Sequence, residues 1–257
     1  MVVDNSDSGR RLLELFRRIY VVNLPSRPDR RAEAAQQLAR IGLSFDHPQV
    51  ELFDAVRPNS RGEFVSIGAR GCFLSHLGVI DAALADGCGS FLILEDDADF
   101  APGFRGRLGG IAGQIDAAGW DIFFGWYPDV PGRPDGDVRD LISPIQPDMQ
   151  IVCSHFVAFR REAALLARPY LQAIYDRPEG HPDGGAMHVD AAYNWFRRTH
   201  PTLRTYAPLQ PLAFQRSSRT DIHDLRWFDR IGVVRPIADL ARRGRRYLAG
   251  RSAGDLL

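Results

Sequence analysis

The sharpest change along the chain is at Phe91-Leu92-Ile93-Leu94, an apolar run that passes directly into Glu95, Asp96, Asp97 and, one residue further, Asp99. A short apolar run bounded by Gly89-Ser90 and Pro102-Gly103 predicts a strand buried on both faces, central in a parallel sheet. Arg18 to Leu24 is β-branched and aromatic and predicts a first strand, stopped by Pro25-Ser26-Arg27-Pro28. Ser26 can cap a helix with Pro28 in its first turn, so a helix is expected over Asp29 to Ile41, ended by Gly42. A second short strand follows over Val50 to Val56. Phe73, Leu77, Ile80 and Leu84 recur at helical spacing and predict a helix over Gly71 to Asp86.

Further on, Phe104 to Ala118 is an amphipathic segment, and strands are expected over Trp120 to Gly125, Ile151 to Phe159 and Leu203 to Ala207. Helices are expected over Arg161 to Tyr175, which Pro169 should kink or split, and over His188 to Arg198. Tyr127 to Asp148 is rich in Pro, Gly and Asp without periodicity, the pattern of a functional lid or a disordered insertion. Asp176 to Gly185 is a second such loop, and Ile237 to Leu248 reads as a basic helix. Alternating strands and helices imply an α/β fold with a mostly parallel sheet flanked by helices. The expected organisation is an N-terminal extension over residues 1–17, a main domain over 18–230 and a basic C-terminal tail helix over 231–257.

Composition narrows this picture. The chain has 257 residues, is 45% hydrophobic and 25% charged, as expected of one globular domain with small extensions. Its formal net charge is zero, which gives no field to attract nucleic acid. Every Lys-or-Arg position is Arg. Cys72, Cys88 and Cys153 are an odd number, far apart and without a CxxC pair, which argues against a disulfide framework or zinc knuckle and fits a reducing cytosol. No apolar run approaches a membrane span, and Met1 to Arg10 lacks the apolar core of a signal peptide. The expectation is a soluble or peripheral protein on the cytoplasmic side.

Clustered acids at the end of a buried strand carry the chemistry. Like charges packed together repel unless a cation or strong donors sit among them. Mg²⁺ and Mn²⁺ take oxygen ligands, often carboxylates together with substrate phosphates. The carboxyl edge of an open α/β sheet is also where ligands bind. A strand-end metal site for a phosphorylated substrate is one reading, and a solvated acidic loop is the other.

Four stretches then align: Ile19-Tyr20-Val21-Val22-Asn23-Leu24 leading into Arg27-Pro28-Asp29-Arg30-Arg31, Gly71-Cys72-Phe73-Leu74-Ser75-His76-Leu77, Leu94-Glu95-Asp96-Asp97, and Gln215-Arg216-Ser217-Ser218-Arg219-Thr220-Asp221-Ile222. In this order, over Ile19 to His223, the chain resembles glycosyltransferase family 25, which includes lipooligosaccharide and collagen galactosyltransferases. The resemblance implies a nucleotide-sugar transferase type A (GT-A-like) fold and inverting transfer from a UDP-sugar assisted by Mn²⁺ (or Mg²⁺). It implies that Asp97 touches the metal, while Glu95 and Asp96 sit nearer the ribose or metal-bound water. Asp99 is an alternative ligand or a solvent-facing acid.

Asn23 and Leu24 end the first strand, where a uracil ring could pack. Arg27 and Arg30 follow as phosphate-binding guanidinium groups, or as a solvated helix face. Ser75 and His76 are donor-site or structural residues on their helix. His223 could be a late metal-binding His, and Asp190, at the start of a late helix, could take the acceptor's proton. Trp126, Tyr127 and Trp195 could stack on sugar rings, with core packing the expected role of Trp195.

The resulting expectation is a metal-dependent inverting glycosyltransferase that moves galactose or glucose from a UDP-sugar to a glycan or glycolipid acceptor, such as lipopolysaccharide core. The alternatives are a non-catalytic sugar-nucleotide-binding protein, or a nucleotide-sugar hydrolase or nucleotidyltransferase. Arg242, Arg243, Arg245 and Arg246 flank Leu240, Tyr247 and Leu248, so the C-terminal helix could rest on anionic lipid or be a solvated tail.

Overall fold

The computed structural model describes residues 5–127 and 140–216. In chain order its elements are α1 (Asn5–Leu15), β1 (Arg18–Asn23), α2 (Pro28–Arg40), β2 (Val50–Asp54), α3 (Ile67–Ala85), β3 (Ser90–Glu95), β4 (Ala98–Phe100), α4 (Phe104–Ala118), β5 (Ile122–Phe124), β6 (Ile142–Pro144), β7 (Phe156–Arg160), α5 (Arg161–Asp176), α6 (Val189–Thr199), β8 (Thr205–Pro208) and β9 (Ala213–Gln215). Among the described residues, one sheet has the strand order β2-β1-β3-β7-β5-β8-β6, and β4 pairs separately with β9.

β1 runs parallel to β2 and β3, and β5 parallel to β8. β7 is antiparallel to both β3 and β5, and β6 is antiparallel to β8. The expected α/β architecture is present, with β2, β1, β3, β5 and β8 pointing one way and β7 and β6 the other. The expectation of parallel neighbours on both sides of β3 is corrected on its β7 side. A strand buried on both faces reads as an unbroken apolar run in either direction, so Phe156 to Phe159 gave no sign of its polarity.

The alternation along each strand assigns two cores. Tyr20, Val22, Phe91, Ile93, Val157 and Phe159 face a cluster with Phe73, Val79 and Ile80 of α3, Ala163 and Leu171 of α5, and Tyr193 and Phe196 of α6. Ile19, Val21, Leu92, Leu94 and Ala158 face the other way, onto Leu12 of α1, Leu38 of α2 and Leu108, Ile111 and Ile115 of α4. The stretch read as an N-terminal extension thus supplies core: Leu12, Leu13, Leu15 and Phe16 are buried. Phe16 meets Trp120 edge-on at 5.6 Å and lies 6.1 Å from both Phe123 and Phe156. Phe16→Ala is therefore expected to cost about 3–5 kcal/mol of stability, read by urea unfolding. A loss below about 1 kcal/mol would mean that this region is dispensable to the fold.

Several local expectations are revised. α2 begins at Pro28 with Arg27 at its N-cap and no side-chain capping bond, so Ser26 does not cap it. α3 begins earlier than periodicity indicated, because Ser66 accepts from the Ala69 N–H and caps a first turn that carries little of the apolar pattern. Residues 151–155 lie outside β7. Pro169 sits inside a continuous α5. Leu165, whose carbonyl loses its donor to the proline, is 51% exposed, so water can satisfy it.

α3 also corrects the reading that no apolar run approaches a membrane span, since its 19 residues are long and apolar enough to cross one by length and composition alone. It is a core helix, buried between the sheet and the helices α5 and α6. The second half of the loop Tyr127 to Asp148 contains the edge strand β6; residues 128–139 lie outside the described residues, as does the expected C-terminal helix.

Candidate functional site

The site forms where β1 and β3 end side by side. Val22 pairs with Glu95 in the parallel register, so Asn23 and the acids that follow β3 emerge at the same sheet edge. The Glu95 N–H donates to the His155 carbonyl and the Asp96 N–H to the Val22 carbonyl, which ties this end to both neighbouring strands. Asp96 and Asp97 form the turn into β4 and are buried.

The three acids have different surroundings. Asn23 Nδ2 donates to Asp96 Oδ2 at 2.7 Å, and Arg30 Nη1 to Asp96 Oδ1 at 3.0 Å. Burial still raises the Asp96 carboxyl, against the pull of Asn23 and Arg30. Ser154 Oγ donates to Glu95 Oε1 at 3.2 Å, and His76 Nε2 lies 3.4 Å from the same oxygen. Burial would raise Glu95, but the His76 ring, His155 and Ser154 together hold it below the ordinary carboxylate value.

Asp97 is the least compensated of the three. Gln215 Nε2 donates to its Oδ2 at 3.3 Å and the Arg30 charge lies nearby, while among the described residues its buried Oδ1 has no hydrogen-bond partner. Burial, followed by the charges of Glu95 and Asp96, pushes the Asp97 carboxyl up to about 7. Asp99 is engaged by a cation: Arg216 Nε donates to its Oδ2 at 3.1 Å, and Arg216 also pairs with Glu33. The late stretch beginning Gln215-Arg216 reaches the site through β9, which pairs with β4 so that Ala98 faces Gln215.

Two motif residues turn out to hold the framework. Ser75 Oγ donates to the Gly71 carbonyl at 2.7 Å and accepts from the Val56 N–H at 2.8 Å. A Cβ on Gly71 would stand 2.6 Å from the Val56 carbonyl oxygen, so glycine lets α3 dock on the chain leaving β2. Arg27 pairs with the neighbouring Asp29 at 2.7 Å, and Leu24 contributes a carbonyl that accepts from the Arg27 N–H. His76 is fully buried, with Nδ1 2.9 Å from the Tyr193 hydroxyl.

Asp190 lies in the first turn of α6. Its Oδ2 accepts from the Cys153 N–H at 3.1 Å and its Oδ1 from the Ala191 N–H at 2.8 Å. Cys153 holds φ at +74°, a conformation that costs a non-glycine residue about 1–3 kcal/mol and recurs at functional sites. Burial, then the charges of Asp190, Glu95 and Asp97, push the Cys153 thiol up to about 12, so the same carboxylates surround one spot.

The structure thus brings together Asn23, Arg30, His76, Glu95, Asp96, Asp97 and Asp190, and turns Arg27 and Ser75 to local partners. His223 and Asp221 lie outside the described residues. Tyr127 is buried and Trp195 packs against the first core, while the Trp126 ring sits 5.9 Å from that of His155. Sequence reasoning did not single out Cys72, Cys153, Ser154, His155 or Tyr193. Cys72 lies within a quoted motif, but Ser154 and His155 belong to a segment with no periodicity and no spacing signal.

The donor set suits a hard divalent ion. Asp97 has a buried, unpartnered oxygen in a negative cluster, and an oxygen-seeking cation would satisfy the atom and offset the repulsion.

The family model described as glycosyltransferase family 25 (LPS biosynthesis protein) matches residues 16–122. Inactive glycosyltransferase 25 family member 3 of Homo sapiens is 28% identical over 127 residues, 42% of this chain and 21% of that protein. Procollagen galactosyltransferase 1 of Danio rerio is 26% identical over 172 residues, 60% of this chain and 28% of that protein. The chain therefore spans only about a fifth to somewhat over a quarter of the length of these curated relatives. A solved glycosyltransferase involved in glycosylation of the major capsid of PBCV-1 is similar at a TM-score of 0.38 and 13% identity, over 74% of this chain and 92% of that one.

Proposed function

From a chain that carries a glycosyltransferase family 25 region, we propose a metal-dependent inverting glycosyltransferase that moves galactose or glucose from a UDP-sugar to a surface glycan such as lipopolysaccharide core. The observation that carries this is Asp97: a buried carboxylate oxygen without a hydrogen-bond partner among the described residues, on a carboxyl that burial and then the neighbouring acids push up to about 7.

In this reading Asp97 would hold Mn²⁺ or Mg²⁺. The ion supplies charge neutralisation at the leaving diphosphate. Asn23 and Leu24, where β1 ends, receive the uridine, and Arg30 stands on the phosphate side, where Arg27 would join it on leaving Asp29. Glu95 and Asp96 keep their hydrogen-bonded places and fix the turn that aims Asp97. An acceptor hydroxyl oxygen attacks the anomeric carbon of the donor sugar. The carbon–oxygen bond to the diphosphate breaks, its electron pair leaves with UDP, and the hydroxyl proton passes to Asp190. Attack opposite the leaving group inverts the anomeric centre. Use of a nucleotide sugar fits a cytoplasmic location, and a basic helix within residues 231–257 would serve as a peripheral membrane contact.

A second reading is a non-catalytic sugar-nucleotide binder, favoured by one similar protein that is itself named inactive. The test strips the full chain with EDTA and offers UDP-galactose and UDP-glucose with a lipopolysaccharide core acceptor, with and without Mn²⁺. UDP release that needs both the ion and the acceptor is expected. Metal-dependent UDP binding without release would select the binder, and equal release without acceptor would select a hydrolase.

A further inference from the structure

Beside the open oxygen of Asp97 lies a group with different chemistry. Cys72 and His76 sit four residues apart on α3, one helical turn, and both look onto the end of β3. Cys72 Sγ is 3.9 Å from Glu95 Oε1, and His76 Nε2 is 3.4 Å from it. Among the described residues, this is the group of His, Cys and acidic side chains whose ligand atoms all fall within 4.8 Å of one another.

His76 supplies the independent observation. Its side chain is fully buried, and among the described residues its Nε2 makes no well-aligned hydrogen bond, facing only Glu95 Oε1 at 3.4 Å. The other ring nitrogen, Nδ1, is fixed by the Tyr193 hydroxyl at 2.9 Å, and such an outer partner commonly orients a metal-bound imidazole.

We propose that Cys72, His76 and Glu95 bind a thiophilic divalent ion of the zinc class. Zinc bonds of about 2.0–2.3 Å in a tetrahedron put ligand atoms about 3.3–3.6 Å apart. The observed 3.4 Å and 3.9 Å to Glu95 Oε1 lie close to these values, and the sulfur and imidazole nitrogen lie within 4.8 Å of each other. A sulfur–nitrogen–oxygen set selects zinc over the hard ions that suit carboxylates alone. Binding replaces the thiol proton of Cys72 by the metal, and the proton leaves to solvent. The ion would staple α3 to the strand end that carries Asp97. The proposal stands on these three residues and does not depend on the transferase reading.

The test uses the full chain, freed of metal by a chelator and titrated with Co²⁺ as a spectroscopic probe. A near-ultraviolet thiolate-to-cobalt charge-transfer band is expected, saturating at one equivalent and displaced by Zn²⁺ but not by Mn²⁺. The band should vanish in Cys72→Ser, fall in His76→Gln and persist in Asp97→Asn. Absence of the band in the native chain, or its persistence in Cys72→Ser, would overturn the assignment. So would its loss in Asp97→Asn. Should Cys72→Ser fail to fold, alkylation of the native chain decides: protection of Cys72 by Zn²⁺ supports the site, and equal labelling with and without Zn²⁺ refutes it.

Discussion

Asp97→Asn is expected to remove sugar transfer and, in metal-free protein near pH 8, to raise the melting temperature. Both effects have one cause. In the native chain Asp97 is buried among Glu95 and Asp96, and its carboxyl is pushed from 3.8 up to about 7. Because the folded value lies above the unfolded one, the folded state holds the proton more tightly. Stability from this group is therefore complete below about pH 4 and is lost as pH rises towards 7. The gap between the two values corresponds to about 4 kcal/mol at most.

Asp96, raised by burial, acts in the same direction. His155, lowered by burial, acts in the opposite one, since its stability is lost as pH falls. Comparing Asp97→Asn with the native chain at pH 5 and pH 8 isolates Asp97, because the other groups remain in both. The gain in melting temperature should be clear at pH 8 and small at pH 5, and saturating Mn²⁺ should stabilise only the native chain. Equal melting curves for the two proteins at both pH values would show that Asp97 bears no uncompensated charge. Full transfer by EDTA-treated native protein would remove its metal role.

Asp190→Asn is expected to lower turnover by roughly 10²–10⁴-fold, the usual worth of a positioned base, with donor affinity unchanged. Asn is nearly the same shape, and its one oxygen can still accept from the Cys153 N–H that now meets Oδ2 at 3.1 Å, while the bond from the Ala191 N–H to Oδ1 is given up. The fold should therefore persist at a modest loss of stability while the proton acceptor is removed. Calorimetry with a UDP-sugar and UDP release on the same preparation separate the two effects. Loss of donor binding would move Asp190 to the nucleotide side. Native turnover would leave it as an acid favoured by the start of a helix, with Asp183 and Asp221 the next candidates as base.

What the sequence determined by itself is what periodicity and adjacency encode. The run Phe91 to Leu94 had to be a strand buried on both faces, and the acids after it had to leave the sheet at one edge. Helices α3, α4 and α6 followed from their apolar spacing, and with the strands they set the α/β class.

Tertiary structure decided everything that depends on partners distant in the chain. The polarity of β7 could not be read, because residues buried on both faces look alike in either direction. Nor could the sequence divide labour among three adjacent acids. Asp96 is taken by Asn23 and Arg30, 73 and 66 residues away, and Glu95 by Ser154 and His76. Asp97 retains an open oxygen among the described residues because β9 brings Gln215 to its Oδ2 and not to its Oδ1. Charge is a property of the residue, but whether that charge is neutralised depends on which side chains the fold places within about 3–4 Å.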